Sequence, residues 1–71
     1  MGEFMSFVAD IMEVDESDIS LETRYGEFEG WDSLMMMRLM MEIEEKYGCT
    51  IPIERAAKIK TLNDLYKYTL E

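Results

Sequence analysis

Apolar residues in this 71-residue chain fall into three stretches of helical spacing, separated by polar connections. Phe4, Phe7/Val8 and Ile11/Met12 lie on one stripe, which predicts an amphipathic helix over residues 2–13. A second helix is expected from Ser33 to Tyr47. Gly48 is placed to end it in the left-handed conformation, and Lys46 sits near the negative end of its dipole. "CTIPI" reads as extended, because Pro52 pushes the residue before it out of the helical region, and a short turn of helix is expected over 54–58. Thr61 then caps a last helix over 61–69, with Asp64 three residues on as a capping box and Leu62, Leu65 and Tyr66 turned inward. The expected fold is all-α, one domain built as a small bundle of three main helices plus one short helix.

Between the first two helices runs "EVDESDISLETRYGEFEG". Loops of this length in compact domains tend to be either functional or disordered. Apolar residues spaced along it (Val14, Ile19, Leu21, Tyr25 and Phe28) predict a loop pinned to a core.

The second helix, "SLMMMRLMMEIEEKY", is apolar on two sides. At about 100° per residue, Met36, Met40, Ile43 and Tyr47 form one stripe with Leu39 beside it, the natural core face. Leu34, Met37 and Met41 form a second stripe roughly 130° away. Arg38, Glu42 and Glu45 occupy the remaining arc, with Met35 among them. A bundle this small has little protein left to cover the second stripe. It either flanks a wide core or is an exposed strip for partner proteins, a role that methionine's soft, adaptable side chain suits.

Composition narrows the chemistry. The single Cys49 cannot form an internal disulfide, and without histidine it cannot build an ordinary structural zinc site. A lone thiol and no secretory pattern point to a reducing, cytoplasmic setting. No apolar run is long enough to span a bilayer. Met1-Gly2-Glu3-Phe4-Met5-Ser6 fits the loose myristoylation pattern, a short form that matches often by chance. The net charge of −9 disfavours nucleic acid, and it is uneven: residues 1–32 hold ten acids against Arg24 alone. Such a field would steer positively charged proteins toward the chain. Ser/His and Cys/His dyads are excluded with no histidine present. "DESDISLETRYGE" fails as a calcium loop, because Ile19 and Ser20 stand where an oxygen ligand and a glycine are needed.

Ser33 remains. A serine at a helix start usually caps it. But after Asp32 and a glycine-bounded loop its hydroxyl could face outward, where a phosphate ester would meet unpaired N–H groups and the positive end of the helix dipole.

"GWDSL" resembles the G-x-D-S-[LM] modification site of acyl and peptidyl carrier proteins. The similarity extends over nearly the whole chain, through Val14/Ile19, "EIEEKYG", "IP" and "KIKTLNDLYKY". The resemblance implies a stand-alone monomeric carrier, not an enzyme. Ser33 would be esterified with 4′-phosphopantetheine by a phosphopantetheinyl transferase, from coenzyme A in a magnesium-dependent step. The arm's thiol would then carry acyl or aminoacyl groups as thioesters between loading and elongating enzymes. Asp32 matches the motif acid, expected to orient the serine and engage the transferase. Leu34, Met37, Arg38 and Met41 match partner-docking positions.

The chain departs from the fatty-acid carriers it resembles, which show acids along the outer face of helix two and around helix three. Here Met35, Met36 and Arg38 are expected on that face, with Ile53 and Ala57 in the third helix, while Glu42, Glu44, Glu45 and Glu54 keep some acidity. A specialised polyketide, peptide or aminoacyl pathway is expected ahead of housekeeping fatty-acid synthesis. The rival is an unmodified helical adaptor that binds through Leu34, Met37 and Met41, with Ser33 only a cap. A third possibility, an enzyme using Cys49, would be removed by alkylating the thiol without loss of activity.

Overall fold

The computed structural model describes residues 2–70. It contains helix α1 (Gly2–Met12), helix α2 (Ser33–Tyr47) and helix α3 (Leu62–Thr69), with 3₁₀ turns at Glu16–Asp18 and Ile53–Lys58. This is the expected all-α bundle. The short third helix takes the tighter 3₁₀ form, and the turn at Glu16–Asp18 is an addition. Met1 of the myristoylation pattern lies outside the described residues.

α1 stops at Met12 because Glu13 turns left-handed, with φ at 59°. The Glu13 N–H donates to Asp10 O at 3.3 Å and the Val14 N–H to Ala9 O at 3.1 Å, the paired bonds of a Schellman ending. Glycine usually fills that position, since a β-carbon makes it costly. Glu13→Gly should therefore raise stability by about 0.5–1 kcal/mol in thermal denaturation. An unchanged melting temperature would mean the turn is unstrained.

α1 buries more than one narrow stripe. Met5 and Ala9 join Phe4, Val8, Ile11 and Met12 in the core, while Phe7 is half-buried. The extra width arises because α1 packs both on α2 and on the Glu16–Asp18 turn. From α2 come Met36, Leu39, Met40 and Ile43, with Tyr47 half-buried, so the predicted core face is the observed one. Leu62 and Leu65 of α3 complete the centre, and the Phe4 ring lies 4.9 Å from that of Tyr66.

The long loop is sewn to the start of α3. Tyr25 N–H donates to Lys60 O at 2.8 Å, Leu62 N–H to Thr23 O at 3.2 Å and Asn63 N–H to Leu21 O at 2.9 Å, around an antiparallel bridge between Arg24 and Thr61. Ile19 is buried, and Val14, Leu21 and Phe28 pack against the core, as expected of a pinned loop. Tyr25 is instead left 38% exposed. Its ring meets the edge of Trp31 at 5.6 Å, and Trp31 is the main buried anchor of the loop.

α3 begins with the predicted capping box. Thr61 Oγ1 accepts from Asp64 N–H at 3.3 Å, and Asp64 Oδ2 accepts from Lys60 N–H at 2.8 Å and Thr61 N–H at 3.1 Å. The Lys60 amide, then the Thr61 amide, Lys67 and the Thr61 hydroxyl, hold the Asp64 carboxyl below its ordinary 3.8 against partial burial, which raises it. A lowered carboxyl contributes stability above its unfolded value and loses it as pH falls through the folded one. The stability advantage of the protein over Asp64→Asn should thus be full above pH 3.8 and shrink below it, read from melting curves of both proteins across that range.

Candidate functional site

Asp32 and Ser33 divide the work at the head of α2. Asp32 is the cap: its backbone is extended, and Oδ1 accepts from Met35 N–H at 2.9 Å. Ser33 is the first helical residue, not the cap that its position suggested. Either residue type caps well; here the carboxylate takes the role. The Ser33 side chain is exposed, and no hydrogen bond fixes its hydroxyl among the described residues. The Ser33 and Leu34 amides likewise have no acceptor there, so the positive end of a four-turn helix faces the serine.

Beside Ser33 opens a cleft of about 330 Å³ between α2, the loop and the 53–58 turn. Met36, Met37, Ala56, Ala57 and Ile59 give it apolar walls, Tyr25 adds an aromatic one, and Arg24 and Lys60 complete it. Its size falls at the lower end of small-ligand sites. The lining residues from outside α2 were missed as site residues, since they share no periodicity with Ser33. Ala57 had been noticed only as a substitution for an acid.

The second stripe of α2 is uncovered: Leu34 is 78% exposed, Met37 44% and Met41 65%. Ile53, 65% exposed, extends it across a groove of about 160 Å³ that Met37, Met41 and Ile53 share with Met40, Glu44 and Ile51. Arg38 is exposed as well, its Nε 3.2 Å from Glu42 Oε2. Met36, by contrast, is in the core and does not belong to the outer face, because its helical angle coincides with that of Met40 and Ile43. Glu44 is also committed, its carboxylate accepting from Ile51 N–H at 2.5 Å. Two of the four acids expected to maintain an acidic face are thus engaged within the protein.

The sequence matches the family model described as "Phosphopantetheine attachment site" over residues 3–69. The chain belongs to that family of carrier proteins. It is 38% identical over 71 residues to the acyl carrier protein of Rubrobacter xylanophilus, covering all of this chain and 88% of the relative. It is 42% identical over 67 residues to that of Rickettsia massiliae, covering 94% of this chain and 78% of the relative. With the acyl carrier protein of Helicobacter acinonychis it shares 35% identity over 66 residues, 93% of this chain and 85% of the relative.

Membership makes the chain a carrier rather than a catalyst, with covalently bound 4′-phosphopantetheine as its cofactor. An exposed hydroxyl with two open amides beside it and an apolar cleft alongside fits such an arm. Carrier proteins work with partner enzymes, and the uncovered strip lies next to the serine. Among the described residues, no helix is long and apolar enough to cross a membrane.

Proposed function

We propose that the protein is a stand-alone acyl carrier of a specialised biosynthetic pathway, a cytoplasmic monomer with Ser33 as the attachment point of its arm. The observation that carries the assignment of Ser33 is the division of labour at α2. Because Asp32 makes the cap, the serine hydroxyl is left exposed beside the apolar cleft. A partner phosphopantetheinyl transferase supplies the group from coenzyme A. When bound, the arm ends in a thiol that holds acyl, polyketide or aminoacyl cargo. The protein's own residues present the arm, shelter its base and dock the enzymes that load and extend the cargo. An unmodified adaptor is the weaker account, since family membership already implies the covalent group.

The specialised pathway rests on the docking face. Leu34, Met37, Met41 and Ile53 offer apolar contact where charge would otherwise dominate, and Arg38 is paired with Glu42 at 3.2 Å. Partners that bury aliphatic or aromatic side chains fit this strip better than lysine- and arginine-lined ones. Met37→Glu should slow turnover by a cognate partner enzyme roughly 5- to 30-fold, the size of a lost hot-spot contact, while costing under about 1 kcal/mol of stability. A drop of several kcal/mol would place Met37 functionally in the core.

Intact mass measurement after incubation with coenzyme A and a promiscuous phosphopantetheinyl transferase tests the assignment. One added group, mapped by peptide fragmentation to Ser33, is expected. A folded, initially unmodified sample that gains nothing, or gains it elsewhere, would overturn it.

A further inference from the structure

Taking Ser33 as the attachment point, we infer that Arg24 and Lys60 form an anion receptor that holds the phosphodiester of the arm against the cleft wall. Charge is the first observation. The protein has 16 acidic and 7 basic residues. The cleft beside Ser33 nevertheless carries two bases and no acid. One of the two, Arg24, is the single base among the first 32 residues, which hold ten acids.

The second observation is how the two cations are positioned. Arg24 and Lys60 are distant in sequence, yet the Arg24–Thr61 bridge and the 2.8 Å bond from Tyr25 N–H to Lys60 O place them on adjoining backbone. The Lys60 backbone is held a second time, its own N–H donating to Asp64 Oδ2 at 2.8 Å. Both residues line the one cavity beside Ser33.

The two side chains are also available. Arg24 gives its Nε to Glu27 at 3.0 Å, leaving its terminal nitrogens as donors, and the Lys60 ammonium makes no ion pair among the described residues. A phosphodiester carries one permanent negative charge and accepts charge-assisted hydrogen bonds from such donors. A covalent tether at Ser33 would supply it at high effective concentration. The open Ser33 and Leu34 amides and the helix dipole favour the same charge at the head of α2. Without the cations, a further negative charge on a chain already at −9 would be repelled.

A thermodynamic cycle tests this, using unloaded and cargo-free phosphopantetheinylated forms of the protein, Lys60→Gln and Arg24→Gln/Lys60→Gln. Apolar contacts of the arm are common to all forms and cancel in the comparison. At low salt, modification should raise the melting temperature of the protein by roughly 2–4 °C more than that of the double variant. The difference should shrink with added salt, and the ³¹P resonance should move between the protein and Lys60→Gln. Equal increments with an unchanged ³¹P shift would overturn the receptor. So would slower loading of Lys60→Gln with no coupling in the cycle, which would assign the cations to transferase docking. Failure of the unsubstituted protein to take up the group at all would instead overturn the reading of Ser33.

Discussion

Trp31→Ala should cost about 3–5 kcal/mol, the range for truncating a large buried aromatic. A chain of this length is expected to hold only roughly 4–11 kcal/mol in total, so the loss should remove a large share of its stability. Trp31 is 1% exposed and the largest fully buried side chain among the described residues. It also ends the long loop: its N–H donates to Phe28 O at 3.0 Å, and its ring meets Tyr25. The indole Nε1 has no hydrogen-bond partner among the described residues, so Trp31→Phe breaks no bond and should lose much less. Circular dichroism melts of the two variants make the comparison. The alanine form should melt at least ~12 °C lower, at about 4–8 °C per kcal/mol for a domain of this size. A shift of only a few degrees would mean that the loop is not anchored through Trp31.

The weight Trp31 carries was not legible from periodicity. It stands alone between Gly30 and Asp32, outside every helical stripe, and the pattern pointed instead to its neighbours Tyr25 and Phe28. Where burial follows helical spacing, the sequence reading agreed with the structure. The core face of α2, the αL turn at Gly48 and the Thr61/Asp64 box all rest on local rules that tertiary packing did not override. The uncovered Leu34/Met37/Met41 stripe was readable for the same reason, since a helix angle and a small bundle suffice to leave it bare.

Misreadings occurred where two residues compete or where distant segments meet. Asp32 and Ser33 are both good caps, and only the backbone path shows which side chain reaches Met35 N–H. Met36 was counted on the outer face although its angle belongs to the core. The cleft joins residues of the loop, α2 and the 53–58 turn, which no spacing rule connects. Its geometry depends on the loop-to-α3 bonds, made by backbone groups that carry no sequence signature.

That division between Asp32 and Ser33 leads to the sharpest expected contrast. Ser33→Ala should abolish phosphopantetheinylation completely while changing stability by no more than about 0.5 kcal/mol. The serine is exposed, its hydroxyl holds no hydrogen bond among the described residues, and it sits at a helical position where alanine is favourable. Asp32→Ala should do the reverse to the fold, losing the bond to Met35 N–H and about 1 kcal/mol with it. Asp32→Asn keeps an acceptor at the cap and should restore most of that stability, so any loading defect it retains reports on the carboxylate's charge toward the transferase. Melting curves and intact mass on the same three samples give both readings. If Ser33→Ala were destabilised as much as Asp32→Ala, the serine would be structural after all. If it still took up the group, the arm would be attached at another residue, and the cleft beside Ser33 would need a different occupant.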